Sequence, residues 1–178
     1  MKTLFVLLLW LSVPLFASPL PNNIPRVPAK QYTNDALFEG GKEVAANLEG
    51  LRFAGHGGFE RWVVDFSDNA QKVGAIAPRF QIRYEKAETI PLPEGGELVR
   101  KPARFIFVFR QIQKNLLSED MVRKLARKSR FVKEILLYPP IEKGDMAMEF
   151  LLKDNVQFSP HQPLEREGRL VLDLKKVR

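Results

Sequence analysis

From about residue 48 onward, apolar side chains recur at every second position, and that period restricts the chain to strands with one buried face. Trp62, Val64 and Phe66 alternate with Arg61, Val63 and Asp65, and Phe80, Ile82 and Tyr84 alternate with Arg79, Gln81, Arg83 and Glu85. Met146, Met148, Phe150 and Leu152 repeat the pattern. A helix of period 3.6 would scatter these side chains around its surface. Residues 104–110 read Arg-Phe-Ile-Phe-Val-Phe-Arg. Both faces of that run are apolar, which predicts a central strand buried on both sides. Further strands are predicted over 132–138, 146–153, 156–158 and 169–175.

A single helix interrupts the strands, over 118–129. Ser118 supplies a capping hydroxyl, and Glu119 and Asp120 favour the positive end of the helix. Leu117, Met121, Val122 and Leu125 form an apolar stripe at helical spacing. Glu119 with Arg123 and Asp120 with Lys124 are pairs of the favourable i,i+4 polarity. About seven strands and one helix make a mainly β chain: a two-sheet antiparallel β-sandwich with one inserted α-helix. With 178 residues there is room for one domain of ordinary size.

The N-terminus reads differently. Met1-Lys2 precedes an apolar run from Leu4 to Leu11, followed by Ser12, Pro14 and Ala17. These are the three parts of a secretory signal peptide, residues 1–17, with cleavage after Ala17. The run is shorter than the roughly 20 residues a membrane-crossing helix needs. Residues 18–47 are a proline-rich lead-in of weak structure, with Pro19, Pro21, Pro25 and Pro28. Residues 35–48 carry a short helical pattern that Gly40-Gly41 interrupts. The folded domain is expected over 48–178, in an exported protein, periplasmic or secreted, with no transmembrane segment after cleavage.

The chain has no cysteine, which excludes disulfides, thiolate metal sites and a cysteine nucleophile. Its net charge is +7, and the location of that charge matters more than its sum. Residues 99–133 hold 11 basic and 2 acidic side chains, whereas the rest of the chain is slightly acidic. Export makes nucleic acid an unsuitable partner for this segment, despite the basic composition.

Between two strand patterns lies Gly55-His56-Gly57-Gly58, a turn in which glycine supplies backbone angles that other residues resist. With its flanks it reads Leu-Arg-Phe-Ala-Gly-His-Gly-Gly-Phe-Glu-Arg-Trp-Val-Val-Asp-Phe over 51–66. This stretch resembles the opening of the AMIN-like domain: a strand, a His-x-Gly-Phe-acid-Arg turn, and a strand ending acid-Phe. Residues 78–84 are similar to that family's next strand. Gly168-Arg169-Leu170-Val171-Leu172-Asp173-Leu174 is similar to its closing strand. The resemblance spans about residues 48–178. It implies a β-sandwich that acts as a non-catalytic targeting module, binding peptidoglycan or envelope partners. His56, Gly58, Phe59, Glu60 and Arg61 form the family turn, read as structural. Phe59 is expected to plug the end of the sandwich. His56 is expected to hydrogen-bond a neighbouring strand or Glu60.

No constellation for catalysis or metal binding stands out. His56 and His161, the two histidines, show no ligand spacing. Ser67, His56 and Asp65 assemble a Ser-His-Asp set only on paper, without a nucleophile elbow. The expectation is therefore no enzyme, no metal and no cofactor. The candidate ligand-binding residues are Arg123, Lys124, Arg127, Lys128, Arg130 and Lys133, with Arg123, Arg127 and Arg130 sharing one stripe. Guanidinium forks suit the carboxylates and phosphates of an anionic envelope polymer. The alternatives are a solvated helix face, an adaptor to another envelope protein in a secretion or pilus complex, and a hydrolase.

Overall fold

The computed structural model describes residues 37–177 apart from 69, 71, 75, 141–143 and 164–166. The expected signal peptide and residues 18–36 of the lead-in lie outside the described residues. In chain order the elements are β1 (Leu37–Gly40), β2 (Ala46–Gly55), β3 (Glu60–Ser67), β4 (Phe80–Glu85), β5 (Glu88–Pro91), β6 (Glu97–Lys101), β7 (Arg104–Phe109) and β8 (Ile112–Asn115). Helix α1 (Glu119–Lys128) follows, then β9 (Val132–Leu137), β10 (Met146–Leu152), β11 (Val156–His161) and β12 (Arg169–Lys176).

Alternation sorts these strands into two five-stranded sheets. One runs β1-β4-β7-β10-β9 and the other β11-β12-β3-β2-β8. Every pairing within them is antiparallel except β2 with β8, which is parallel. The apolar faces meet through aromatic rings. Trp62 meets Phe150, Phe66 meets Phe109 and Phe105 meets Phe158, with centroids 4.9–5.3 Å apart. Each contact joins one sheet to the other, so the molecule is a β-sandwich with one helix. Burial of these rings supplies the main driving force, since each removes a large apolar area from water.

Several expectations need correction. Residues 35–48 are not helical where described: Leu37–Gly40 is an edge strand and Ala46 already begins β2. Partners across the sheet, Arg83 to Phe80 on β4, override the weak local pattern. The sandwich thus takes in the last residues of the expected lead-in. β7 is central, but Ile106 and Val108 are only half-buried, so just one of its faces is closed off. Three strands lacked any strand signal: β8, and the β5 and β6 pair that forms a hairpin around a proline-glycine loop.

Helix α1 follows its sequence signals closely. Ser118 Oγ accepts from Met121 N at 3.2 Å, and Val122 and Ala126 are buried against the sandwich. Arg123 pairs with Glu119 at 3.9 Å and with Asp120 at 3.5 Å. Asp120 therefore turns to Arg123 and not to Lys124.

Candidate functional site

The basic face of α1 is set by helical geometry. Val122 and Ala126 point inward, which places Arg123, Lys124, Arg127 and Lys128 on the opposite side, all exposed. Arg127 and Lys128 also sit at the negative end of the helix, which favours cations there. Lys133 is exposed on β9, the edge strand against which the helix packs. Lys124, Arg127, Lys128 and Lys133 form no ion pair with any described residue.

Arg130 departs from the expected stripe. The helix ends at Lys128, with Ser129 as its C-cap in an extended conformation, so Arg130 is not on the helix. Its backbone N–H donates to Glu60 Oε1 at 2.6 Å, and its guanidinium reaches the same oxygen at 3.3 Å. The guanidinium also donates to the carbonyls of His56 and Phe59. Arg130 thus clasps the β2–β3 turn and is committed to structure.

Glu60 and Arg61 point to opposite faces of β3, as adjacent strand residues do. Glu60 is fully buried beneath the end of α1, where Ser129 Oγ donates to it at 2.6 Å. Ser129 in turn accepts from the backbone N–H groups of Phe131 and Val132. Lys153 Nζ donates to the Ser129 carbonyl at 2.7 Å. Arg61 makes a two-pronged pair with Asp173 on β12, both bonds 2.7 Å. Both of these side chains are buried. An aspartate between Leu172 and Leu174 in an apolar strand is the sequence signal that marks such a partner. Serine at position 129 carries no comparable signal.

The rest of the family turn also differs from expectation. Phe59 does not plug the sandwich; it is half-buried and stacks on His56, centroids 4.5 Å apart. His56 does not bond Glu60, whose oxygens are taken by Ser129 and Arg130. His56 Nε2 is buried with no hydrogen-bond partner among the described residues. Gly55, Gly57 and Gly58 do not adopt positive φ. The turn closes instead through a 2.9 Å bond from His56 N to the Phe59 carbonyl.

Ser67, His56 and Asp65 are not assembled. Ser67 lies opposite Asn47 at the start of β2, and His56 follows the other end of that strand. Seven strand residues at about 3.3 Å each separate Ser67 from Glu60. Asp65 is held by Arg52 at 2.5 Å and Arg169 at 2.9 Å, and Ser67 donates to Glu49. His161 lies near Asp173 and Arg61, and burial lowers its pKa from the ordinary 6.5. Asp173 opposes that shift, while Arg61 adds to it. Among the described residues no group of three acidic or histidine side chains gathers in a way suited to a metal ion.

An open cleft of about 830 Å³ lies by β1, β4 and the start of β8. Its two cations are already matched: Arg79 pairs with Glu43 at 2.6 Å and Arg110 with Asp145 at 2.7 Å. The contrast with the unpaired cations of α1 and β9 is what makes the helix face the stronger candidate. No protein-family model matches the sequence, and no curated protein matches it. Among the described residues no helix is long and apolar enough to cross a membrane.

Proposed function

We propose that this chain is an exported, non-catalytic module of AMIN-like type that attaches to peptidoglycan or another anionic polymer of the cell envelope. The attachment surface is the outer face of α1 with Lys133. The observation that carries this reading is the set of exposed cations, Lys124, Arg127, Lys128 and Lys133, with no carboxylate partner among the described residues. Exposed Coulomb attraction of this kind is long-ranged at low salt and fades as the Debye length shrinks below about 10 Å. The AMIN-like likeness rests on the turn at 51–66 and the closing strand. The buried roles of Glu60, Arg61 and Asp173 give those motif residues a structural reason.

The test is retention of the purified protein on sacculi and on anionic polymer beads at low and high salt. Retention at low salt that falls as salt rises supports the reading. Replacing Lys124, Arg127 and Lys128 by Glu is expected to abolish retention while leaving the circular dichroism spectrum unchanged. No retention of the parent protein at low salt would sink the reading. So would equal retention of the triple variant. Arg130 is left out of the variant because its guanidinium is already engaged with Glu60 and the turn carbonyls.

A further inference from the structure

The hairpin of β5 and β6 belongs to neither large sheet. All five residues of β6 are exposed, as are the last three of β5. Ile90, Leu92, Leu98 and Val99 are between 44% and 57% exposed, with Ile90 and Leu98 directly opposite each other across the hairpin. A two-stranded ribbon is marginal in water by itself and gains stability from a further strand or a packed face. Clustered exposed apolar side chains mark contact surfaces.

The two edges of the ribbon differ. β5 ends at Pro91 and Pro93 follows, so that edge lacks an N–H at both of these positions and resists strand addition. β6 reads Glu97-Leu98-Val99-Arg100-Lys101, has no proline and offers an open edge. Its charges are only partly paired within the arm. Arg100 and Lys101 both turn to Glu88, at 3.1 and 3.4 Å, while Glu97 on β6 and Glu94 in the loop form no ion pair with any described residue.

We infer that β6 pairs with β6 of a second copy of this chain, antiparallel about a two-fold axis through Val99. That register sets each Glu97 opposite Lys101 of the other copy. The two Val99 side chains meet on the axis, and Leu98 lies beside the aliphatic stem of the opposite Arg100. Lys101, which shares Glu88 with Arg100, and the unpaired Glu97 of each arm are thereby matched. Sliding the axis by one residue sets Arg100 against Arg100, or Lys101 against Gly95, so charge selects the register. The product is a four-stranded ribbon. Its contact area lies at the small end of protein interfaces, which makes the dimer weak and concentration-dependent.

Sedimentation of the purified protein from micromolar to millimolar concentration tests the inference. The parent protein is expected to shift from monomer to dimer as concentration rises. Glu97→Lys and Lys101→Glu should each remain monomeric, because like charges then face each other across the axis. An equimolar mixture of the two variants should dimerise again, since opposite charges meet. That restoration is possible only if both variants are folded. Val99→Pro should abolish the dimer by removing an N–H on the axis. The inference is overturned by a parent protein that stays monomeric throughout, or by a dimer indifferent to both charge reversals. It is also overturned if the mixed variants stay monomeric while circular dichroism shows both folded.

Discussion

Glu60 and Ser129 lie 69 residues apart in sequence, yet the Ser129 hydroxyl donates to the Glu60 carboxylate at 2.6 Å. This bond ties the end of the only described helix to the turn between two central strands. It also fixes the orientation of the basic face. Because Glu60 is fully buried, its loss leaves the Ser129 hydroxyl and the Arg130 N–H without an acceptor. Glu60→Ala is expected to cost about 3 kcal/mol or more in urea denaturation. Arg130→Ala, whose side chain is 57% exposed, should cost under about 1 kcal/mol. Equal costs for the two would contradict the assignment of the carboxylate as the hub.

Arg61 and Asp173 form the corresponding lock on the other face of β3. Removing either one strands a buried charge, so Arg61→Met and Asp173→Leu should each destabilise by about 3–5 kcal/mol. The double variant removes both charges together and should recover most of that loss. A double-mutant cycle in urea reads the coupling directly. Additive losses would show that the two side chains act independently.

Gly41 sits at φ 79° with its backbone against Pro78. A Cβ built there would lie 2.0 Å from the Pro78 carbonyl oxygen, a clash with main chain that no rotamer relieves. Gly41→Ala should therefore cost more than about 2 kcal/mol. Gly50→Ala is the control, because a Cβ there meets nothing within 4 Å; its effect should stay within about 0.5 kcal/mol. Thermal melts of the two variants check the contrast.

His161 gives the fold a pH dependence of definite sign. Burial lowers its folded pKa below the unfolded 6.5, despite the opposing pull of Asp173. Between those two values the unfolded chain binds the extra proton, so stability rises with pH. The contribution is complete above about pH 6.5 and is lost as pH falls through the window below it. His161→Gln should flatten that part of the stability–pH curve while leaving the profile above neutrality parallel to the parent. An unchanged slope below the unfolded pKa would refute the assignment.

The strand pattern was legible because a period of two needs only neighbouring residues. Phe80, Ile82 and Tyr84 announce their buried face without reference to any partner. The helix was legible for the same reason, through Ser118 at its start and the stripe of Leu117, Met121, Val122 and Leu125; Ala126, which the structure buries beside Val122, was not part of that stripe. β8 was not, because Ile112–Asn115 becomes a strand only by lying parallel to β2. The hairpin was hidden because its apolar residues are exposed, so no buried face imposes a pattern.

By itself, then, the sequence determined the sandwich class, the position of the helix and the concentration of positive charge in residues 99–133. Each is a local property, set by side-chain period, capping chemistry and composition. Only the tertiary structure decided which cations are spent internally. Arg130 follows the same helix as Arg127, but the chain path brings it to Glu60, 70 residues earlier. Arg61 meets Asp173, 112 residues later, through the β3–β12 register. Such pairings depend on strand order and register, which fix distances between remote segments and leave no trace in local spacing. The cations left unpaired on the outer side of α1 and at Lys133 are the surface to which the proposed function assigns a ligand.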